Sequence, residues 1–272
     1  GRNATTAAKK IANVETKPLM GNEALARGAW EAGVRVAAAY PGTPSTEILE
    51  SVSTFPKEDI VAQWSTNEKV ALDVAMGASF EGVRSLSVMK HVGLNVASDA
   101  LMSMTYIGVN GGLVIIVCDD PGIHSSQNEQ DTRLFARFAM VPVLEPSDAE
   151  EALSYMSAAY DLSEKFDTPV IVRSTTRLSH TRSPVTLGER TEVARRDFDD
   201  NPQKNVMIPS HARIRHSTLI EREKNIAEYL ETNELTRWEK ADTSVGVITS
   251  SISYGYVKEV LPNASVLKLG GS

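Results

Sequence analysis

The sequence predicts an α/β protein with a doubly wound, mostly parallel sheet, and two observations support this. First, short runs rich in valine and isoleucine alternate with helical stretches from about Leu19 to Arg177. Alternation at this spacing indicates parallel strands joined by right-handed crossovers. Second, residues 113–118 are almost continuously apolar, which is typical of a central strand covered on both faces. We therefore expect about six strands in one sheet.

The individual elements follow from the same pattern. Strands are expected at 34–39, 60–62, 85–89, 113–118, 141–144 and 169–172. Helices are expected at 22–32, 45–52, 69–80, 94–107, 132–138 and 148–165. Gly33 follows the first helix at the usual stop position. Ser147, followed by Glu150 and Glu151, predicts a capped start for the last helix.

Changes in composition divide the chain into four segments. Residues 1–18 are expected to form an N-terminal tail, and residues 19–182 the α/β domain. Residues 183–243 predict a polar strap followed by an amphipathic helix over 217–240. The apolar positions of that helix are Leu219, Ile220, Ile226, Leu230 and Leu235. Residues 244–272 predict the incomplete start of a second α/β unit, so we expect a fragment or one chain of a larger assembly.

Composition and missing motifs exclude several classes of function. The chain has 272 residues, 42% of them hydrophobic, and its net charge of -7 predicts no nucleic-acid binding. No apolar run is long enough to span a membrane, and the polar N-terminus does not resemble a secretory signal, so a cytoplasmic location is expected. The single Cys118 excludes an iron–sulfur cluster ligated by this chain alone. No phosphate-binding glycine motif is present, and we expect no metal site.

Polar side chains follow four of the expected strands. In a parallel sheet these strand ends lie at one edge, where ligands of α/β proteins bind. The last of the four loops is too long for a minimal connection, and loops of that length are usually functional or disordered. The four segments are 40–45, 65–68, 90–95 and 119–133.

Each segment also has a purely structural interpretation. Ser65 and Glu68 have the spacing of a capping box, in which the glutamate bonds back to the helix start. The segment after the first strand could be a turn with Thr43 as the helix cap and Pro44 at the first helical position. His91 could be an ordinary loop histidine. The local sequence around each residue, taken alone, favours the structural interpretation.

Taken together, the motifs resemble those of the 2-oxoacid:ferredoxin oxidoreductases. The resemblance is strongest to the alpha subunit of the indolepyruvate-oxidising members and extends from about Leu19 to Arg177. The motifs that carry it are Tyr-Pro-Gly-Thr-Pro-Ser at 40–45, Asn-Glu at 67–68, Met-Lys-His-Val-Gly-Leu-Asn at 89–95 and Asp-Asp-Pro-Gly at 119–122.

The resemblance implies that this is the pyrimidine-binding domain for thiamine diphosphate. It implies that Glu68 is the catalytic glutamate, which forms a hydrogen bond with the ring nitrogen of the aminopyrimidine. The residues implied to bind the cofactor are Glu68, Pro41, Gly42, Lys90 and His91, and those implied to bind the substrate are Thr43, His91 and Asn95. A separate domain or subunit would bind the diphosphate and Mg²⁺. Iron–sulfur clusters and coenzyme A would belong to the complete enzyme.

The implied reaction is the oxidative decarboxylation of an aryl pyruvate to an acyl-CoA, with ferredoxin accepting the electrons. Pyruvate, 2-oxoglutarate or a branched-chain oxoacid are alternative substrates within the same superfamily. A non-catalytic interaction module with this fold is the alternative outside it. The expected partners are the diphosphate-binding domain or subunit, ferredoxin, a small 2-oxoacid and a second copy in a dimer. The chain alone is expected to be inactive.

Overall fold

The computed structural model describes residues 15–272, and strands alternate with helices over most of that range. The elements in chain order are β1 (Thr16–Met20), α1 (Gly21–Glu31), β2 (Val36–Ala39), α2 (Thr46–Val52), β3 (Val61–Trp64), α3 (Glu68–Phe80), β4 (Ser85–Lys90), α4 (His91–Ile107), β5 (Leu113–Asp119), α5 (Thr132–Ala139), β6 (Val143–Leu144), α6 (Ala149–Phe166), β7 (Val170–Thr175), α7 (Thr176–His180), β8 (Arg182–Thr186), α8 (Pro202–Asn205), α9 (Pro209–Thr232), β9 (Arg237–Glu239), β10 (Asp242–Ser250), α10 (Ser253–Val260) and β11 (Ala264–Leu269). All six strands and six helices predicted for the α/β domain are present.

Six strands form one parallel sheet in the order β3-β2-β4-β5-β7-β6. The fold-class prediction is therefore confirmed. Alternate residues of β5 enter two different cores. Helices α1, α2 and α6 contribute to the first core, whereas α3, α4 and α5 contribute to the second. The sheet is thus covered on both faces, which explains the continuous hydrophobicity of its central strand.

The direction of chain winding reverses between β2 and β4. From β2 the chain moves to β3 on one side and then returns to β4 on the other. Such a reversal is a topological switch point, outside which ligands of open α/β sheets bind. The loops after β2 and β4 flank this point.

The strand pair β1 and β8 extends across two of the predicted segment boundaries. β1 begins at Thr16, within the segment predicted as a tail, and pairs antiparallel with β8. β8 in turn includes the first residues of the predicted strap. The remaining tail residues, 1–14, lie outside the described part of the chain. The pairing joins segments about 165 residues apart in sequence, and no local periodicity indicates such a contact.

A helix is present where one is predicted at 217–240, but both of its ends differ from the prediction. α9 begins at Pro209, because proline is favoured in the first turn of a helix. It ends at Thr232, and residues 237–239 form β9 against β11 instead. Of the predicted apolar positions, Ile226 is buried, whereas Ile220 is 52% exposed.

The C-terminal unit pairs β10 with β11 in parallel, and α10 connects them. The unit contacts the main domain through Lys268, a fully buried lysine whose Nζ donates to Tyr155 Oη at 2.7 Å and to Glu151. The four segment boundaries given above remain predictions. None of the helices between residues 15 and 272 has the length and apolar character needed to cross a membrane.

Candidate cofactor site at the strand ends

The loops after β2 and β4 touch at the switch point. A Cβ on Gly42 would lie only 2.9 Å from Lys90 Cδ, so the lysine stem fills the space that a side chain would need. Lys90 is the last residue of β4 and is 9% exposed. This contact brings the predicted residues Gly42 and Lys90 together.

Glu68 is the first residue of α3, and its side chain is 8% exposed. The helix is capped by Asn67, whose side-chain oxygen accepts from the Val70 N–H at 2.9 Å. The capping-box interpretation of Ser65 and Glu68 is therefore wrong. Within residues 15–272 no group donates a hydrogen bond to the Glu68 carboxylate, which leaves both of its oxygens available to a ligand.

The side chain of Glu68 lies against the first turn of α4. A Cβ on Gly93 would lie 2.5 Å from Glu68 Cγ and 2.6 Å from Glu68 Oε1, closer than any side chain could approach. Glycine at position 93 therefore allows the carboxylate to lie directly on the backbone of α4. The structure brings Glu68 next to the Lys90–Gly93 segment, as the shared strand-end edge predicts.

The long loop at 120–131 packs on the same segment. Lys90 Nζ donates to the carbonyl oxygen of Ser125 at 2.9 Å, and His91 Nε2 lies 3.1 Å from the carbonyl oxygen of Asn128. His91 is 1% exposed, and its Nδ1 is buried without a hydrogen-bond partner among the described residues. Ser125 and Asn128 could not be identified from their residue types, because they act through backbone carbonyl groups.

Asp120 anchors this loop. Its carboxylate accepts from Ser125 N–H, Ser126 Oγ and Thr176 Oγ1, each at 2.7 Å. Burial alone would raise the pKa of Asp120, but the hydrogen bonds from Ser125, Ser126 and Thr176 outweigh it and lower that pKa below its ordinary value. The charged carboxylate therefore holds the loop in place.

The loop after β2 does not form the turn in which Thr43 would cap the next helix. Thr43 is not a helix cap, since α2 begins only at Thr46. Instead Gly42 N–H donates to Thr46 Oγ1 at 2.9 Å, and Ser45 Oγ donates to the Gly42 carbonyl at 2.7 Å. Pro41 and Thr43 are exposed at the strand-end edge.

No side-chain hydrogen bond in the described structure joins Asn95 to another of the predicted site residues. It lies one helical turn beyond His91 on α4, and its side chain is exposed. Nothing in the described structure holds it against Glu68. Its role in substrate binding stays a prediction.

A buried ion cluster at the ends of β5 and β7 was not predicted. Arg173 Nε donates to Asp119 Oδ2 at 2.6 Å and Arg173 Nη1 donates to Glu145 Oε1 at 2.9 Å. Thr132 N–H also donates to Asp119, so the carboxylate fixes the start of α5. The signal was present in the sequence, because an arginine within the apolar strand 170–175 requires a buried partner.

Exposed apolar side chains surround the edge that Glu68 faces. They are Tyr40 (41% exposed), Trp64 (43%), Val70 (37%) and Val96 (48%), and we refer to these four as the apolar rim. They lie at the ends of β2 and β3, in the first turn of α3 and in the second turn of α4. Clustered exposed apolar residues of this kind mark interaction surfaces.

These residues fit the pyrimidine half of thiamine diphosphate. The Glu68 carboxylate has no partner within residues 15–272, and the unpartnered, buried Nδ1 of His91 is a second polar group on the same helix turn as Gly93. By contrast, no group of three or more His, Cys, Asp or Glu in residues 15–272 is arranged to hold a metal ion.

The fold is similar to that of a solved 2-oxoacid:ferredoxin oxidoreductase structure. A structure described as "2-oxoglutarate:ferredoxin oxidoreductase from Magnetococcus marinus with 2-oxoglutarate, coenzyme A and succinyl-CoA bound" superposes with a TM-score of 0.77. The match covers 97% of this chain and 55% of that one, at 18% sequence identity, and therefore concerns the fold alone.

Sequence comparison gives the family. The family described as "Pyruvate flavodoxin/ferredoxin oxidoreductase, thiamine diP-bdg" matches residues 27–245, and the chain belongs to it. Proteins named "Indolepyruvate oxidoreductase subunit IorA" are similar along most of the chain. The one from Archaeoglobus fulgidus is 47% identical over 92% of this chain, and the one from Pyrococcus horikoshii is 45% identical over 93%.

A more distant relative is "2-oxoglutarate synthase subunit KorA" of Methanothermobacter marburgensis, which is 29% identical over 68% of this chain. The chain spans 42% of the length of the A. fulgidus relative and 51% of the length of the KorA relative. The resemblance seen in the motifs is thus confirmed at the level of the family.

Proposed function

We propose that this chain supplies the pyrimidine half of the active site in a thiamine diphosphate-dependent oxidoreductase that acts on aryl pyruvates such as indolepyruvate. The observation that supports this most directly is the Glu68 carboxylate. It is almost buried at the strand-end edge and takes no part in capping its own helix.

Thiamine diphosphate, when bound, supplies the nucleophilic carbon that attacks the carbonyl group of a 2-oxoacid. Glu68 forms a hydrogen bond with the ring nitrogen of the aminopyrimidine and shares a proton with it. This makes the amino group on the opposite side of the ring a better base. Gly93 allows the close approach of Glu68 to α4, and Asn67 caps α3 so that Glu68 does not have to.

Lys90 and His91 orient groups around the cofactor and the substrate. The Lys90 ammonium group and the buried His91 ring are both fixed by carbonyl groups of the loop at 120–131. A group that is held before the reaction starts can stabilise developing negative charge without reorganising. Pro41 and Gly42 form the wall beside Lys90, and Thr43 and Asn95 contact the substrate from the exposed side.

The remaining parts of the enzyme are supplied from outside this chain. A diphosphate-binding domain or subunit covers the apolar rim and brings Mg²⁺, and the complete enzyme dimerises. It also contains the iron–sulfur clusters, the coenzyme A site and the surface that ferredoxin recognises. The names of the relatives as subunits support the need for partner subunits.

An aryl pyruvate is favoured over 2-oxoglutarate by the pattern of similarity. Identity to the IorA proteins is 45–47% over more than nine-tenths of the chain, against 29% over about two-thirds for KorA. The products are an acyl-CoA, carbon dioxide and two electrons that pass to ferredoxin.

The test combines this chain with the diphosphate-binding part of the enzyme and measures thiamine-dependent reduction of a viologen dye. Glu68→Gln should lower kcat by about 100-fold or more, because the amide cannot share a proton in the same way. The free energy of unfolding in urea should not fall, because the substitution removes a nearly buried charge that has no partner among the described residues. Indolepyruvate should be oxidised faster than pyruvate or 2-oxoglutarate.

Two variants serve as controls. Asn67→Ala removes the observed cap and should cost about 1 kcal/mol of stability. Glu231→Gln changes an exposed glutamate on α9 and should affect neither measurement. If Glu68→Gln retained full turnover, the role proposed for Glu68 would be wrong. If only the substrate order differed, the aryl pyruvate assignment alone would fail.

A further inference from the structure

A second cleft lies at the ends of β5 and β7, on the side of the 119–133 loop that faces the C-terminal unit. Its volume is about 570 Å³, within the usual range for small-molecule sites. One wall contains Arg133, Arg173 and Arg177, and the other is the turn that joins β10 to α10. The proposed function assigns no role to this cleft.

The three arginines differ in how their charges are balanced. Arg173 is paired with Asp119 and Glu145, while Arg133 forms a salt bridge to Asp131 at 2.7 Å. Arg177 has no carboxylate within 4.0 Å among the described residues. Its Nη1 donates to Tyr256 Oη at 2.8 Å, across the mouth of the cleft. Arg177 therefore keeps an uncompensated positive charge at this position.

The opposite wall presents hydrogen-bond donors without acceptors. Ser251 is 4% exposed and lines the cleft, and its Oγ has no partner within residues 15–272. Its backbone is left-handed, with φ of 52°, and Ile252 follows with φ of -56° and ψ of -26°. When one residue has a left-handed backbone and the next a right-handed one, their N–H groups point into the same concave space, and such a space can bind an anion.

The N–H groups of Ser251, Ile252 and Ser253 find no backbone acceptor among the described residues. They precede α10, and its aligned peptide dipoles favour negative charge at the same place. The cleft thus combines one free guanidinium group, one buried hydroxyl without a partner and one turn of free N–H groups.

We propose that this cleft binds the phosphate group of a nucleotide-sized phosphate ester. A guanidinium group and backbone N–H groups are the usual partners of phosphate oxygens. The volume exceeds what one phosphate requires, which leaves room for the organic part of the ligand against Tyr256 and Ile252. The proposal uses no residue of the Glu68 site, so the two can fail independently.

The test is isothermal titration calorimetry of the full 272-residue chain with ADP, AMP, inorganic phosphate and adenosine. ADP and AMP should bind, phosphate should compete with both, and adenosine should not bind. Arg177→Met should weaken ADP binding by about tenfold or more. Ser251→Gly keeps the left-handed backbone but removes the hydroxyl, and should weaken binding by about threefold to tenfold.

Arg213→Met is the matched control, because Arg213 is exposed on α9 and far in sequence from the cleft. It should leave the affinity for ADP unchanged. The proposal is refuted if ADP does not bind at about 1 mM, or if adenosine binds as tightly as ADP. It is also refuted if phosphate binds while both nucleotides do not, or if Arg177→Met and Ser251→Gly both retain the wild-type affinity.

Discussion

The contact between Glu68 and Gly93 allows a sharp test that leaves the glutamate itself unchanged. Gly93→Ala would place a methyl group 2.5 Å from Glu68 Cγ, whereas ordinary carbon contacts begin at about 3.4 Å. The Glu68 side chain would therefore have to move by about 0.9 Å. The nearest atoms are the Cγ, Oε1 and Cδ of Glu68 itself, so the movement falls on the carboxylate.

A displacement of about 1 Å in a catalytic group can cost about 100-fold in rate. We therefore expect Gly93→Ala to lower kcat for dye reduction by about that factor in the reconstituted enzyme. Stability should change much less. Alanine in a helix gains about 1 kcal/mol over glycine, and this gain offsets part of the strain from the contact.

Gly77→Ala gives the matched comparison for stability. Gly77 lies within α3, where an added Cβ would meet no atom within 4 Å, so the substitution should stabilise the chain by about 1 kcal/mol in urea unfolding. The difference between the stability changes of Gly93→Ala and Gly77→Ala measures the strain that the added methyl group causes at position 93. Full activity of Gly93→Ala would show that the position of the Glu68 carboxylate does not limit the rate, and the argument from geometry would be refuted.

Two further predictions concern the charged groups behind the site. Arg173→Met should destabilise the chain by about 3–5 kcal/mol, because Asp119 and Glu145 would remain buried without their cation; a loss below about 1 kcal/mol in urea unfolding would contradict this. Asp120→Asn should cost about 1.5–3 kcal/mol at neutral pH, since the bonds from Ser125 and its neighbours favour the charged form. Because folding lowers the pKa of Asp120, this contribution is present above its ordinary value of 3.8 and is lost as pH falls below it. The difference in free energy of unfolding between wild type and Asp120→Asn should therefore stay constant down to about pH 5 and then decrease. An increase of that difference in acid would show that folding raises the pKa of Asp120 instead of lowering it.

The sheet could be predicted because its information is local. Each strand of the main domain is a short apolar run, and each crossover helix has its own start and stop residues, such as Gly33 after α1. Parallel strands joined by helices then place all their carboxyl ends at one edge. The sequence alone therefore predicts that Gly42, Glu68 and Lys90 are neighbours.

The contacts that complete the site could not be predicted in this way. The β1–β8 pair joins Thr16 to Thr186 across almost the whole domain, and neither strand has a regular alternation. The hydrogen bonds that fix Lys90 and His91 come from carbonyl groups, which every residue possesses. α9 begins earlier than predicted because Pro209 can begin a helix, whereas the apolar pattern starts only later in the sequence.

Glu68 shows how structure decides between two interpretations of one local sequence. The spacing from Ser65 is that of a capping box, and only the observed bond from Val70 N–H to Asn67 removes that interpretation. Once Asn67 provides the cap, a nearly buried carboxylate without a partner is costly unless a ligand completes it. This carboxylate lies at the edge where Gly93 is too close to Glu68 to carry a side chain and where the apolar rim is exposed. These features support the proposal that the surface around Glu68 holds a cofactor and contacts a partner that completes the site.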